Sequence, residues 1–419
     1  MNTPCFLPAD ILLPDFEATN GTQWSVVACD QYTSQPDYWA TAKTLVGEEP
    51  STLHVILPEV YLSQTEARVP AIREAMVDYL ERILVCHPNC MILVDRTLAS
   101  GEHRYGLMGC VDLETYEYQK GSTALVRATE ETVPERIPPR KIIRQGAPIE
   151  LPHVMLLIDD RQNTVITPLV DASHTYPVIY DYDLMQNSGH LKGYLLGESA
   201  MTHVIDSLDA LITPEAMTER YGKSGLAPLL FAVGDGNHSL ATAKACYEDI
   251  KAKLGEAALH HPMRYALCEV VNIYDQSLHF EPIYRVVYGV DPQRMAQDFK
   301  AYCETLQGDA PAQDITIHAQ GLHQVLHVPT PVAGLAVGTV QDFLSTYPLP
   351  AGAEVDYIHG DDVALTLGEG DHAIAFLFEG MTKQELFSTV ISDGSLPRKT
   401  FSMGHAADKR FYTECRRLG

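Results

Sequence analysis

The sequence predicts an α+β fold built from mixed sheets and helices. Apolar runs of strand length and amphipathic runs of helical period both recur along the 419 residues, yet they do not follow the regular order of a doubly wound parallel sheet. Hydrophobic residues make up 46% of the chain, which is enough for two or three domains with their own cores. We expect an N-terminal α+β region at 1–126, a central region at 127–290 and a C-terminal α+β region with a basic tail at 291–419.

In the first region, two extended segments, TQWSVVACD and STLHVIL, flank a helix that is predicted over 36–46 and is stopped by Gly47. Ser63 and Glu66 have the spacing of a capping box, which predicts a helix that runs to about Val85. MILVDRTL and YGLMGCVDL are separated by ASGEHR, and this arrangement predicts a β-hairpin.

The central region begins with a segment, 127–152, that is rich in proline and charge and has neither a helical nor a strand period. It predicts a long ordered loop or a domain linker. HVMLLIDD, TVITPLV and PVIYDYDLM are predicted strands, and helices follow near 198–222. Strands are predicted again in MRYALCEVVNIYD and IYRVVYGVD, and residues 291–395 alternate helices with short strands.

Composition and charge exclude several classes of protein. The formal net charge of −25 argues against nonspecific binding to nucleic acid or to an anionic membrane surface. No apolar run reaches membrane-spanning length, and the N-terminus lacks the basic start and apolar core of a secretory signal. The nine cysteines cannot all pair within the chain, which fits a reducing compartment. We therefore expect a cytoplasmic protein. A homodimer is the commonest assembly for a protein of this class.

The chemically richest stretch is APLLFAVGDGNHSLATAKACYEDIKAKLG, which joins an apolar strand to an amphipathic helix through a polar turn. Gly234 and Gly236 permit backbone angles closed to other residues and a close approach of a ligand. Asp235 and His238 supply a carboxylate and an imidazole. A helix start attracts phosphate or carboxylate groups, and Ser239 adds a hydroxyl there. The structural alternative is a turn in which the carboxylate binds backbone amides and the histidine caps the helix.

Other charged groups are weaker candidates. Lys244 either reaches the glycine loop or is solvated on the polar face of its helix. Two basic clusters either form an anion site or pair with surface carboxylates. They comprise Arg127, Arg136, Arg140, Lys141 and Arg144, and Arg398, Lys399, Lys409, Arg410, Arg416 and Arg417. Two candidate metal clusters are His153 with Asp159 and Asp160, and His359 with Asp361 and Asp362. Spacing excludes a dinucleotide fingerprint, because Ser239 stands where glycine or alanine is required, and it excludes a P-loop.

The chain contains six motif blocks in order: WSVVACDQYTSQPDYW, STLHVILPEVYL, RATEETVPERIPPR, ELPHVMLLIDD, VGDGNHSLATAK and LPRKTFSMGHAADKRFY. They extend from about residue 11 to the C-terminus and resemble the ordered blocks of a bacterial family catalogued as domain of unknown function 1015. The family name carries no activity.

The loop itself shows a second resemblance. Its order of strand, Asp-Gly-x-His and helix is similar to the nucleotide-handling loop of the ParB and sulfiredoxin superfamily, which includes a nucleotide-dependent free serine kinase. The resemblance implies a ParB/sulfiredoxin-like core around the loop. It also implies that Asp235 and His238 handle phosphate or metal. In this interpretation Asp235 either holds Mg²⁺ or orients the acceptor hydroxyl, and His238 contacts the phosphates. Ser239 stands where members of the first family commonly have arginine, so Lys244 or the arginine of RATEET would supply the charge.

RATEET resembles the family's Arg-Pro-His-Glu-x-Thr and implies that Arg127, Glu130 and Thr132 form a second part of the site. We therefore expect a nucleotide-dependent phosphotransferase that uses ATP or ADP with Mg²⁺ and phosphorylates a small hydroxylated metabolite such as free serine. Glu130 is the predicted general base, and Arg127 and Arg136 neutralise developing charge. The remaining predicted phosphate-binding residues are Gly234, Gly236, Asn237, Ser239, Lys244 and Thr132.

Two alternatives remain open at this point. The same loop would serve a regulatory protein that senses a nucleotide or another ligand without turning it over. A metal-dependent hydrolase would instead use His153, Asp159, Asp160 and His238 around a tightly bound transition metal.

Overall fold

The computed structural model describes residues 4–130, 132, 135, 137–307, 312–329 and 334–419. The strands, in chain order, are β1 (Phe6–Leu7), β2 (Ala9–Pro14), β3 (Val26–Val27), β4 (Leu84–Cys90), β5 (Ile92–Thr97), β6 (His103–Asp112), β7 (Tyr116–Glu117), β8 (Val126–Ala128), β9 (Ile149–Glu150), β10 (Met155–Ile158), β11 (Val178–Asp183), β12 (His190–Leu195), β13 (Phe231–Asp235), β14 (Tyr265–Asn272), β15 (Phe280–Tyr288), β16 (Gln313–Ala319), β17 (Leu322–Val328), β18 (Glu354–His359), β19 (Ala373–Phe378), β20 (Phe401–Met403), β21 (Phe411–Tyr412) and β22 (Arg416–Arg417).

The α-helices are α1 (Gly21–Trp24), α2 (Pro36–Val46), α3 (Thr65–Arg82), α4 (Ile137–Arg144), α5 (Thr167–Asp171), α6 (Glu198–Leu211), α7 (Pro214–Tyr221), α8 (Asn237–Leu254), α9 (Pro292–Glu304), α10 (Ala336–Thr346), α11 (Asp361–Gly368) and α12 (Lys383–Asp393). Helices and mixed sheets together confirm the α+β class. In the part of the chain that the structure describes, no helix is long and apolar enough to cross a membrane.

The chain forms two compact units. The first comprises Met1–Ala128, Thr132–Leu278 and His405–Gly419, and the second comprises Thr129–Glu131 and His279–Gly404. Both units are therefore discontinuous in sequence, whereas the three regions predicted from the sequence are contiguous.

A ten-stranded mixed sheet is the centre of the first unit. Its order is β11-β12-β5-β6-β14-β10-β13-β8-β7, and β1 also pairs with β6. The predicted hairpin is confirmed, because β5 and β6 are antiparallel neighbours. β13 lies inside the sheet, antiparallel to β10 and parallel to β8. The strand that leads into the glycine loop is therefore hydrogen-bonded to a neighbouring strand on each side.

The helix that follows the glycine loop packs on this sheet. Leu240, Ala243 and Tyr247 of α8 are buried in one core cluster with Phe231 and Val233 of β13. These three residues repeat at the spacing of one helical face, so burial of that face fixes the helix against the strand before it. The start of α8 is thereby fixed relative to the end of β13.

The second unit is built on a six-stranded sheet. Its order is β17-β16-β19-β15-β18, and β20 also pairs with β15. Phe299 of α9, Phe343 of α10 and Phe376 of β19 pack edge to face and are buried. Aromatic packing of this kind ties the two helices to the sheet.

Three of the local predictions are wrong, and in each case proline or polar residues lie at the start of a helix. Segment 127–152 is not only the long ordered loop or linker that its composition predicts, because α4 lies within it. The two prolines of α4 occupy its first turn, where a missing amide is tolerated. TVITPLV is not a strand, because Pro168 lies in the first turn of α5. Ser63 and Glu66 form no capping box, since α3 begins at Thr65 after a 3₁₀ turn and ends at Arg82.

The C-terminal segment, His405–Gly419, belongs to the first unit. It forms the short strands β21 and β22, which pair with β3 and β9 of the first unit. Arg410 and Arg416 are buried, with 4% and 6% of their surface exposed. The segment is therefore an integral part of the first unit.

Candidate functional site

The glycine loop is a tight turn between β13 and α8. Gly236 has a φ of +79°, and a Cβ at this position would lie 3.0 Å from the Cα of Val154. Both observations require glycine, because a side chain would be strained and would also meet the neighbouring backbone. Gly236 is the residue that precedes the first turn of α8, and it has no side chain with which to cap the first amides. The start of an 18-residue helix thus faces the turn without a capping side chain from this position.

Asp235 is held in place by two contacts. Its Oδ1 accepts a hydrogen bond of 2.9 Å from the amide of Gly236, and its Oδ2 lies 3.2 Å from the Nζ of Lys409. The side chains of Asp235 and Lys409 are 22% and 14% exposed. The carboxylate and the ammonium therefore meet at the loop, with part of each still accessible to a ligand.

A second acid and base lie close to Lys409. The Nε2 of His153 is 3.9 Å from the Oδ2 of Asp30. Burial by itself would raise the pKa of the Asp30 carboxyl, but His153, a hydrogen bond from the Gln31 amide and the charge of Lys409 outweigh it and hold that pKa below its usual value. Asp30, His153, Asp235 and Lys409 are called the loop cluster below.

A hydrogen-bonded chain extends from the loop cluster into the core. The Tyr412 hydroxyl lies 2.6 Å from Nδ1 of His153 and donates to the Sγ of Cys29 over 3.1 Å. Burial raises the pKa of the Cys29 thiol to about 12, so the thiol stays protonated at neutral pH. This chain fixes the orientation of the imidazole, because a ring with one anchored nitrogen presents the other in a defined direction.

Buried ion pairs hold the segment that carries Lys409. The Arg410 guanidinium pairs with Glu269 and with Glu414, both of which are buried. Arg416 donates to the Oε1 of Glu150 over 2.6 Å. Removing one partner of a buried pair leaves the other charge uncompensated, so these contacts resist displacement of the segment. Lys409 is therefore presented to Asp235 by a rigid neighbour.

A cavity of about 130 Å³ begins at the first turns of α8. Apolar side chains form half of its wall, and the polar groups are mostly paired with one another, as in Arg140 with Glu59 and Arg144 with Glu150. The lining residues are Cys29, Val55, Ile56, Leu57, Glu59, Leu62, Met76, Arg140, Ile143, Arg144, Ala147, Ile149, Glu150, Leu151, His153, Ser239, Thr242 and Tyr412. Three members of this wall, His153, Tyr412 and Ser239, connect the cavity to the loop.

The remaining loop residues lie at the end of the strand and the start of the helix, as predicted from the sequence. Gly234 is within β13, and Asn237, His238 and Ser239 form the first turn of α8. The carbonyl of His238 accepts a hydrogen bond of 2.7 Å from Thr242. These residues and Asp235 are brought together in the first unit.

Two predicted phosphate-binding cations are engaged elsewhere in the first unit. The buried Arg127 guanidinium donates to the carbonyls of Ala124, Ala227 and Pro228. The buried Lys244 ammonium donates to the carbonyl of Leu113 over 2.9 Å. Arg136 lies outside the described residues. Thr132 is buried, and its hydroxyl has no hydrogen-bond partner among the residues that the structure describes.

Glu130 belongs to the second unit. Burial raises the pKa of its carboxyl, although the carboxylate accepts hydrogen bonds from the amides of Lys399 and Thr400 and lies near Arg285. The Arg285 guanidinium is fully buried and donates to the carbonyls of Ile283, Arg398 and Lys399. Glu130, Arg285, Lys399 and Thr400 are called the Glu130 cluster below. It fixes the 398–400 segment within the second unit.

The predicted metal cluster at the end of β10 has another role. Asp159 accepts hydrogen bonds from the hydroxyls of Tyr221 and Tyr274, and Asp160 accepts from the amide of Val165. His153 instead contacts Tyr412. Among the described residues, no group of three histidine, cysteine, aspartate or glutamate side chains is arranged to hold a metal ion.

Two members of the loop cluster were not among the site residues predicted from the sequence. Lys409 was recognised only as part of a basic tail, and Asp30 only as part of the block WSVVACDQYTSQPDYW. Both come from parts of the chain far in sequence from the loop. The sequence signal for both residues is that each is a charged residue inside one of the motif blocks quoted above.

The family model described as "Protein of unknown function (DUF1015)" matches residues 13–359. None of the curated proteins matches the chain. Several solved structures resemble it distantly, and three of them follow. A free serine kinase in complex with AMP has a TM-score of 0.37 and 11% identity, over 74% of this chain and 91% of that chain. SbnI with a C-terminal truncation, from Staphylococcus aureus, has a TM-score of 0.35 and 11% identity, over 71% and 82%. A conserved hypothetical protein from Pyrococcus furiosus has a TM-score of 0.35 and 11% identity, over 74% and 94%.

Identities and TM-scores this low support no transfer of residues or activity to this chain. The family model is different, because it covers more than half of the 419 residues. This chain belongs to the family described as protein of unknown function DUF1015.

Proposed function

We propose that the first unit binds a nucleotide and transfers a phosphoryl group from it to a small hydroxylated metabolite. The observation that carries the proposal is the pairing of Asp235 with Lys409 at the start of α8. A helix start binds phosphate through its first amides, and a lysine beside it adds a point charge for the same group. The proposal includes a ParB/sulfiredoxin-like core around this loop.

The reaction requires little covalent chemistry from the protein. The acceptor hydroxyl oxygen forms a bond to the terminal phosphorus of ATP or ADP, and the bond from that phosphorus to the bridging oxygen breaks. The shortened nucleotide leaves with the electron pair, and the hydroxyl proton passes to a base. The amides of α8 and Lys409 neutralise charge on the phosphoryl oxygens. We propose that this base is His153, whose Nε2 lies 3.9 Å from the Oδ2 of Asp30 in the first unit.

Mg²⁺ completes the proposal as a second source of positive charge. This ion is commonly bound through one or two carboxylates, water and the phosphates of the nucleotide. The loop cluster offers Asp235 and Asp30, and Lys409 contacts the first and acts through its charge on the second. These two carboxylates would hold the ion, which would neutralise charge on the terminal phosphates of the nucleotide.

A thermal-shift screen tests the proposal. The purified protein is heated with ATP, ADP, CTP or GTP and Mg²⁺, in parallel with an Asp235→Ala variant. A ligand at a hundred times its dissociation constant stabilises the native state by about 2.7 kcal/mol, which is readily measured as a higher midpoint. We expect one nucleotide to stabilise the parent and not the variant. Equal shifts in both proteins, or no shift with any nucleotide, would falsify the proposal.

A turnover assay then separates an enzyme from a sensor. The stabilising nucleotide is incubated with a panel of hydroxylated acceptors that begins with free serine, and release of the shortened nucleotide is followed. An enzyme releases it faster with one acceptor than without any. A protein that only senses the nucleotide shows the thermal shift and no acceptor-dependent release.

A further inference from the structure

The cavity beside α8 has more apolar wall than a polar metabolite requires. Leu57, Met76, Ala147 and Ile149 are among its lining residues, and each is at least nine-tenths buried. Its volume of about 130 Å³ is close to that of an engineered apolar cavity of about 150 Å³ that binds benzene. The space therefore suits a compact molecule with an apolar body.

The arginine and glutamate side chains of the wall already form ion pairs, although the buried Nε of Arg144 has no hydrogen-bond partner among the described residues. Arg140 pairs with Glu59, and Arg144 pairs with Glu150. A ligand with its own ammonium and carboxylate would have to leave water and compete with these pairs, which is costly in a partly apolar space. A zwitterionic amino acid is therefore poorly matched to this wall.

Two polar groups of the wall can still serve a ligand. The hydroxyl of Ser239 has no hydrogen-bond partner among the described residues, and the Nε2 of His153 lies 3.9 Å from Asp30, beyond hydrogen-bonding distance. Both line the cavity, and Ser239 belongs to the first turn of α8. Each group can hydrogen-bond to the hydroxyl of a ligand in the cavity, and Ser239 lies at the helix start to which the proposed function assigns the phosphate.

From this combination of an apolar wall, paired charges and two available polar groups, we propose that the cavity binds a compact alcohol with an apolar body and a single hydroxyl. The proposal rests on the proposed function in one respect, since it names the class of the acceptor. Binding of the alcohol itself does not require a nucleotide, so the two can be tested separately.

Ligand-detected NMR and thermal shift on the full chain test the proposal with matched pairs of compounds. Isoamyl alcohol is compared with glycerol, and benzyl alcohol with free serine. We expect the two apolar alcohols to bind and the polar partners to bind at least about tenfold more weakly, which corresponds to 1.4 kcal/mol. Binding of serine or glycerol as tight as that of the apolar alcohols overturns the proposal.

Two variants localise the binding. Ala147→Leu fills the cavity and is expected to weaken isoamyl alcohol at least about tenfold. Met76→Ala enlarges the cavity and is expected to shift the preference toward benzyl alcohol. Met217→Ala is the control, because Met217 is equally buried in α7 and does not line the cavity. Unchanged alcohol binding in both cavity variants, or the same change in the control, overturns the proposal.

The nucleotide screen distinguishes the two proposals. If the alcohols bind in the cavity and no nucleotide stabilises the protein, the cavity assignment stands and the phosphotransferase falls. If a nucleotide binds through Asp235 and no alcohol binds, the cavity assignment falls and the phosphotransferase stands.

Discussion

The loop cluster of the first unit and the Glu130 cluster of the second both combine acids with bases, but their charged atoms contact different partners. Lys409 and Asp235 contact each other and remain partly exposed. Arg285 is fully buried and donates to three backbone carbonyls, and Glu130 accepts from two backbone amides. A charged group whose partners are backbone atoms holds a segment in place, whereas one that keeps accessible surface beside a helix start is available to a ligand. The difference supports the proposal that the loop cluster binds a ligand and that the Glu130 cluster holds a backbone segment in place.

The largest expected effect comes from removing the buried arginine next to each cluster. Arg285→Met leaves backbone carbonyls and Glu130 without their cation, and Arg410→Met leaves Glu269 and Glu414 unpaired. Each substitution is expected to lower the free energy of unfolding by about 3–5 kcal/mol, measured by urea denaturation.

Nucleotide titration of the same two variants sharpens the comparison. At a temperature where both are folded, only Arg410→Met should bind the nucleotide more weakly, because Arg410 holds the segment that presents Lys409. An equal loss of nucleotide affinity in Arg285→Met would contradict the assignment of nucleotide binding to the loop cluster alone.

Glu130→Gln gives a smaller effect and decides between two roles for this residue. As a structural acceptor, Glu130 is expected to contribute about 1 kcal/mol through its bonds to the amides of Lys399 and Thr400, and the variant keeps its turnover. As the general base predicted from the sequence, it would lose turnover by about 10²–10⁴-fold and keep nucleotide binding. His153→Gln is the matched variant in the first unit, and the comparison predicts that it loses turnover instead.

The smallest effect is on the pH dependence of stability, and its sign is opposite in the two clusters. The pKa of Asp30 is lowered in the folded state, so its stabilisation is present at neutral pH and is lost as the pH falls through the acidic range. The pKa of Glu130 is raised by burial, so its protonation on acidification favours the folded state. Stability should fall less steeply with acidification in Asp30→Asn than in the parent, and more steeply in Glu130→Gln. Urea denaturation between neutral and acidic pH measures both slopes, and equal slopes in the three proteins contradict the assignment.

The loop and its helix could be predicted from the sequence because the information is local. Apolar residues at strand and helix spacing define β13 and α8, with Asp235 at the end of the strand and Gly236 between the two elements. The roles of Arg127 and Lys244 could not be predicted in the same way, because a basic residue near a motif looks the same in sequence whether it binds a ligand or a backbone carbonyl. Only the partners of each group, known from the structure, distinguish the two cases.

Local sequence patterns could not predict which residues contact the loop, for a different reason. Lys409 reaches Asp235 through the pairing of β21 with β3, a long-range contact between the two ends of the chain. Nothing in the composition of the basic tail specifies that pairing. The helix α4 escaped prediction because prolines in its first turn interrupt the helical pattern, although they are compatible with that position.

The most direct test of the central claim is a calorimetric titration of the stabilising nucleotide into Lys409→Met and Lys244→Met. Both lysines belong to the first unit, but Lys409 contacts Asp235 at the loop and Lys244 donates to the carbonyl of Leu113. We predict that Lys409→Met weakens binding by about tenfold or more, which is the loss expected for a hydrogen bond to a charged group, while Lys244→Met binds as the parent does. The reverse order, or equal affinities in both variants, would contradict the assignment of the nucleotide site to the loop cluster.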